Sequence, residues 1–345
     1  MIQDIVKSFG LDPSQFTIER TGSGHINQTY KVDGTSAYIL QRINNKVFTR
    51  PELIATNLRL AADYLAKHYP DYLFLSGIKA KDGSEMVYDA EGFPWRLFPY
   101  IHNTITVDKV ETAAEAHAAA SGFARLARNL SACDPAQFRP TIDRFHDLAW
   151  RFEQFETALK NTTEERKAEA KDAIDIALYF GYLVKQYNDL ISKGGLQLRV
   201  THNDTKINNI LFDATTRDVV CVIDLDTLMP GYFIYDLGDM IRTFVSPVSE
   251  EEKDLSQVVF RRPMYDALLD GYFSEMSDSL NSTEQTLAPF AGMMMTYIMA
   301  IRMLADFLNG NVYYHITYPE QNLVRASNQL RLLQLLEKNL TGVGG

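Results

Sequence analysis

The spacing of apolar residues changes once along the chain, near residue 101, and that change dictates a β-rich piece followed by a helical one. Before it, "FTIERTGSGHINQTYKVDGTSAYILQRI" reads as three short strands broken at "GSG" and "DGTS", and "EMVYDAEGFPWRLFPYI" as two more joined at "AEG". Between them, residues 49–69 place apolar side chains at helical spacing. Beyond residue 102 the spacing predicts helices over 109–130, 143–160, 164–192, 252–275, 283–309 and 318–338. One stretch interrupts them. "NILFDATTRDVVCVIDLD" (209–226) holds two apolar runs about a polar turn and predicts a hairpin, covered on both faces because neither run alternates cleanly. A chain of 345 residues exceeds one ordinary core. The expectation is an α+β protein of two lobes, residues 1–101 and 102–345.

Charge and composition remove several kinds of partner. A net charge of -10 repels a phosphate backbone, and no Lys/Arg run is present, so no nucleic acid is expected. Cys133 and Cys221 are too few for a disulfide framework and lack zinc spacing, which points to a reducing cytoplasmic setting. The start "MIQDIVKSFGLDPSQF" lacks the apolar core of a signal peptide. The longest apolar run, 290–301, is too short for a bilayer, so no membrane is expected either. The methionines 293–295 within it read as core filler.

The hairpin matters because of what flanks it. "VTHNDTKINNILFD" (200–213) leads in with His202, Asp204, Lys206 and Asn209, and Asp224 and Asp226 follow the second run. A hairpin turns its two ends toward one side, where these groups converge. Acids and amides gathered together call for a cation. Carboxylate and amide oxygens suit Mg²⁺, which keeps several waters and is usually completed by substrate phosphates. No thiolate or paired histidine competes for a softer metal.

"HNDTKINN" resembles the HxDxxxxN catalytic loop of the aminoglycoside phosphotransferase and protein-kinase-like superfamily, and "VIDLD" resembles its metal-binding aspartate segment. "YDLGDMIR" follows in the expected order. Within that superfamily, "YILQRIN", "THNDTKINNILFD" and "CVIDLDTLMPGYFIYDLGDMIR" look most like the N-acetylhexosamine 1-kinases. The resemblance implies a two-lobed kinase-like fold, with a β-rich first lobe and a helical second lobe that carries the catalytic hairpin. It also implies ATP and Mg²⁺ as cofactors and an amino sugar phosphorylated on its anomeric hydroxyl. On it, Asp204 orients the attacking hydroxyl, Lys206 neutralises charge on the transferring group, and Asn209 and Asp224 hold the metal. Asp226 is a second metal ligand or a supporting group, His202 props the loop, and Asp236 and Asp239 brace it.

Similarity also assigns the nucleotide and acceptor contacts. "TGSGHIN" (21–27) resembles the phosphate-cradling loop, with Gly22, Ser23 and Gly24 exposing backbone N–H groups. The connector "WRLFPYIHN" (95–103), with Phe98 and Tyr100, resembles the segment that meets the purine, and Leu211 and Ile223 are placed to sandwich the base. His25, Asp204, Phe244, Arg302, Tyr313 and Tyr314 are the candidate acceptor contacts. There is one departure. Protein kinases carry a lysine on the strand that here reads "AYILQRI", whereas this chain has Gln41 and Arg42, which alternate faces and cannot both point to the phosphates. The phosphate charge must then be met by Mg²⁺, by backbone amides or by an arginine from elsewhere. Glu52, in the first turn of the lobe's helix, is a candidate partner of that strand. The alternatives are the same fold with another acceptor, choline or an aminoglycoside among them, or a non-catalytic nucleotide-binding module.

Overall fold

The computed structural model describes residues 2–22 and 26–342. In chain order the main elements are α1 (Ile2–Ser8), β1 (Phe16–Thr21), β2 (Gln28–Gly34), β3 (Ala37–Arg42), α2 (Glu52–His68), β4 (Val87–Tyr88), β5 (Pro94–Pro99) and β6 (Thr104–Ile105). Helices α3 (Ala113–Asn129), α4 (Leu148–Asn161), α5 (Glu164–Glu169), α6 (Lys171–Tyr179) and α7 (Tyr182–Ser192) follow. Strands β7 (Arg199–Thr201), β8 (Ile210–Asp213), β9 (Val219–Val222) and β10 (Met229–Gly231) come next, and α8 (Phe233–Phe244), α9 (Arg262–Met276), α10 (Ala288–Leu308) and α11 (Gln321–Leu340) complete the chain. Contacts divide it into two units. The first comprises Met1–Ile105, Ala132–Asp143 and Leu211–Pro230, and the second Thr106–Ser131, Arg144–Ile210 and Gly231–Gly345.

The first unit is built on an antiparallel sheet in the order β1-β2-β3-β5-β4. Strand alternation gives the sheet two unlike faces. Val32, Leu40, Trp95 and Leu97 point to one side and pack with Ile5, Val6 and Phe9 in and beside α1. Gln41 and Arg96 are opposed in the β3/β5 register. Like Phe98, two residues on from Arg96, they therefore fall on the other side. Arg42 alternates away from Gln41 and ion-pairs with Asp89 at 3.0 Å, its guanidinium 3.7 Å from the Phe93 ring centre. Asp89 also accepts the Trp95 indole N–H, at 2.8 Å. The expected hairpin is β8 and β9, extended by β6 on the β8 side.

The second unit is helical and organised on α10, which packs against α4, α8 and α11, while α3 packs on α9. By length and composition α10 could cross a bilayer, but most of it is buried inside the unit, as expected of a core helix. Met293, Met294 and Met295 are all buried within it. Three sequence readings shift. The span 164–192 is three helices, interrupted at Ala170 and at Phe180–Gly181. Gly181 supplies the second break, and nothing in the residues at Ala170 accounts for the first. The helix expected from 252 begins at Arg262, where Pro263 fits the first turn. Helix α8 was given no span from the sequence, because Gly238 and two aspartates blur its pattern.

Gly238 has a packing reason to be small. A Cβ there would collide with the Ala291 carbonyl and the Met295 side chain of α10. Gly238→Ala should therefore lower unfolding stability by about 1–3 kcal/mol, measured by denaturant titration, and an unchanged midpoint would contradict this packing.

Candidate active site

Site residues foreseen in the sequence fall in both units. In the second, β7 runs into the segment His202–Asn209, whose backbone is held from α8. The buried Asp236 carboxylate accepts the N–H of His202 at 3.0 Å and of Asn203 at 2.6 Å. Asp239 accepts the N–H of Thr205 at 2.9 Å, and the Thr205 hydroxyl donates to the Asp236 carbonyl at 2.7 Å. Burial pushes the Asp236 carboxyl up to about 6, so at neutral pH it remains an ionised acceptor. Asn203 is left-handed, with φ 66°. Its carbonyl meets His146 Nε2 at 2.9 Å. His146 is buried and is pushed down to about 3 by that burial, with Arg302 and Arg151 adding to the shift. It is therefore neutral, and with Nε2 protonated it donates to that carbonyl. His202 is buried with its ring edge-on to Phe123 at 5.4 Å, and its Nδ1 accepts the Asp204 N–H at 3.2 Å.

This bracing leaves Asp204 partly exposed. Asn209 Nδ2 donates to the Asp204 carboxylate at 3.1 Å and to its carbonyl at 2.8 Å. Lys206 Nζ lies 3.1 Å from the same carboxylate. Burial pushes the Asp204 carboxyl up, but the Lys206 charge and the hydrogen bonds from Lys206 and Asn209 more than offset it, so the group sits below its ordinary value. An ionised carboxylate of this kind can accept a hydroxyl proton or orient the hydroxyl. Because Asn209 donates through Nδ2, its Oδ1 is left for a cation.

In the first unit, Asp224 follows β9, is exposed, and is left-handed at φ 58°, ψ 53°. A non-glycine residue in that region costs of order 1 kcal/mol and recurs at functional positions. Asp226 is buried instead. Its Oδ1 lies 2.5 Å from Arg96 Nη1, its Oδ2 accepts Asn27 Nδ2 at 2.7 Å, and its carbonyl accepts the Thr141 hydroxyl at 2.8 Å. Gln41 Oε1 accepts two further Arg96 N–H groups, at 3.0 and 2.8 Å. Among the described residues no three His, Cys, Asp or Glu gather as a metal site.

The nucleotide contacts read from sequence are distributed as follows. Gly22 follows β1 with φ 83°, while Ser23, Gly24 and His25 lie outside the described residues. Phe98 is buried, and Tyr100, Leu211 and Ile223 are half-buried. Glu52 is exposed at the start of α2. Of the acceptor contacts in the second unit, Arg302 and Tyr314 come together. The Arg302 guanidinium lies 5.8 Å from the Tyr314 ring centre and 5.3 Å from that of Phe145. Tyr313 is 62% exposed, whereas Phe244 is fully buried at the end of α8 and presents no face to solvent. Asp306 shapes this corner by accepting the N–H groups of Val312, Tyr313 and Tyr314 at 2.8–2.9 Å. Arg96, Asn27, His146 and Asp306 were not named from sequence. Arg96 had a readable signal, as an arginine within an otherwise apolar strand.

The sequence model of the phosphotransferase enzyme family, APH, matches residues 17–272. The chain belongs to that family. Solved structures of similar fold include a microcompartment-associated aminopropanol kinase, with a TM-score of 0.66, 19% identity, and coverage of 99% of this chain and 97% of the other. The GDP complex of an aminoglycoside 2'-phosphotransferase gives 0.62 at 12% identity, covering 98% of each chain. A spectinomycin phosphotransferase in complex with ADP and spectinomycin gives 0.58 at 14%, again covering 98% of each. These likenesses bear out the two-part kinase-like architecture, with a sheet in the N-terminal region and helices in the C-terminal one.

The neutral His146 makes stability depend on pH. Its folded value of about 3 lies below the ordinary 6.5, so the unfolded chain binds the proton more readily and stability falls as pH drops from about 6.5 toward 3. Asp236, raised from 3.8 to about 6, contributes with the opposite sign between those values. His146→Gln removes only the first effect. Over pH 6.5 to 4.5 its unfolding midpoint should fall less than that of the parent, and parallel curves would contradict a neutral buried histidine.

Proposed function

We propose that this phosphotransferase moves the γ-phosphoryl group of Mg-bound ATP to the anomeric hydroxyl of an N-acetylhexosamine, GlcNAc or GalNAc. The observation that carries the reading is the Asp204 carboxylate, kept ionised and oriented by Lys206 and Asn209 on a loop whose backbone is fixed by Asp236 and Asp239. In this reading the acceptor hydroxyl donates to Asp204. A well-placed weak base suffices, because phosphoryl transfer rests on positioning and charge stabilisation more than on early deprotonation. Lys206, now paired with Asp204, turns its charge toward the transferring oxygens.

Asp224 and Asn209 Oδ1 are the proposed metal ligands. Two hard oxygens with water and phosphate fit magnesium, which when bound neutralises charge on the β- and γ-phosphates. Asp226 stands behind them, since Arg96 and Asn27 already occupy its carboxylate.

For the acceptor, the corner of Arg302 and Tyr314 favours a neutral, hydroxyl-rich molecule. Arg151 is half-buried near Arg302, and desolvation first, then the Arg302 charge, pushes it down to about 10. Two neighbouring guanidiniums repel an ammonium group. That weighs against choline, aminopropanol and polycationic aminoglycosides, despite the likeness to an aminopropanol kinase. A sugar offers the oxygens these donors need, and the exposed Tyr313 offers a ring for its apolar face.

A panel of GlcNAc, GalNAc, glucose, choline, aminopropanol and kanamycin with Mg-ATP, followed by ADP release and by ³¹P coupling to the anomeric proton, tests this. Turnover confined to the N-acetylhexosamines is expected, and turnover confined to the cationic alcohols would overturn the acceptor assignment. Asp204→Asn should lower kcat by about 10²–10⁴-fold with ATP affinity nearly unchanged. Asp224→Ala should instead remove the magnesium-dependent part of nucleotide affinity. The reverse pattern would exchange or remove the two roles.

A further inference from the structure

We propose that Arg96 supplies the phosphate-binding cation that protein kinases place on the neighbouring strand, with Gln41 as its positioning residue. The inference rests on the kinase reading above and adds to it the residue that grips the nucleotide phosphates. Gln41 lies on β3, the strand on which protein kinases carry their lysine, and is taken as that position. Its register partner on β5 is Arg96. Opposed residues of an antiparallel pair carry Cβ atoms only about 5 Å apart on the same face, so a guanidinium rooted on β5 delivers its charge close to where a β3 lysine would. Thr29, which pairs with Gln41 on the other side, completes a row across three strands. Gln41 donates to its hydroxyl at 3.2 Å and accepts Arg96 Nε and Nη2 at 3.0 and 2.8 Å. The glutamine thus spends its carbonyl on aiming the arginine.

The remaining nitrogen is the working one. Arg96 Nη1 is buried and makes no aligned hydrogen bond, although its charge lies 2.5 Å from Asp226 Oδ1. Asp226 Oδ1 likewise has no hydrogen-bond partner. A buried cation and a buried anion in contact but unaligned form a pair in which each can accept a better partner. A phosphate oxygen is that partner for Arg96, and Asn27 keeps Asp226 in place when the contact loosens. The competing cation on this sheet face is Lys31, which is more exposed and already paired with Asp33 at 2.6 Å. Arg42, the other arginine of the segment, faces away to Asp89. No lysine is needed on β3 because the positive charge comes from one strand over.

Equilibrium binding of ATP, ADP and adenosine, measured by calorimetry beside thermal melting, tests the assignment. Arg96→Gln should weaken ATP and ADP by about 10- to 100-fold, as expected for a lost charge-assisted contact, and leave adenosine within twofold. The exchange Gln41→Lys with Arg96→Gln, which returns the cation to β3, should recover most of the ATP affinity. Where Arg96→Gln melts early because Asp226 is left unpaired, Arg96→Gln/Asp226→Asn compared with Asp226→Asn alone gives the same contrast. ATP affinity unchanged, or ATP and adenosine weakened equally, overturns the role of Arg96 while leaving the kinase reading intact. Failure of the unmodified protein to bind any of the three removes both.

Discussion

One buried carboxylate orders the segment His202–Asn209. Asp236 accepts two successive backbone N–H groups, from His202 and Asn203, and so pins the chain where it leaves β7. A buried donor without a partner costs about 1–3 kcal/mol, and these two amides have this acid as their acceptor. The left-handed turn at Asn203, the aim of Asp204 and the pairing of Asn209 with it all depend on that anchorage. Asp236 is itself held by α8, and α8 reaches its place against α10 because residue 238 has no side chain. His146, in the turn before α4, closes the arrangement through the Asn203 carbonyl. An apolar core helix thus supports a polar loop.

Charge in the first unit follows a similar economy. Strand alternation leaves one sheet face apolar and puts Gln41 and Arg96 on the other. A buried arginine is tolerable when its charge is met, and here the Gln41 amide oxygen accepts two of its N–H groups while the Asp226 carboxylate lies beside the third nitrogen. The same three side chains account for the missing strand lysine and for Asp226 being a held group, while Asp224 is exposed and left-handed.

Much of this was legible in the residues. The change of period near residue 101, the five strands before it and the hairpin after it follow from short-range patterns, and so does the loop carrying Asp204 and Asn209, because its spacing is local. Arg96 was harder. Its role comes from a register across two strands 55 residues apart, and sequence spacing says only that Gln41 and Arg42 point oppositely. Helix α8 was concealed by Gly238, whose reason for being there is a neighbour in α10. Phe244 was proposed as an acceptor contact, yet it is interior, since an aromatic at a helix end reads alike whether it faces a ligand or a core. His146 and Asp306 act through backbone groups, which leave no side-chain pattern to read.

The central proposal is that Asp204, Asn209 and Asp224 each serve the metal-bound nucleotide. A crystal grown with Mn²⁺ and a non-hydrolysable ATP analogue, with anomalous data collected at the manganese edge, tests it most directly. The account predicts a peak about 2.2 Å from a carboxylate oxygen of Asp224 and from Asn209 Oδ1, with the γ-phosphate facing Asp204. A peak bound by neither residue, or a nucleotide whose γ-phosphate lies away from Asp204, would contradict it.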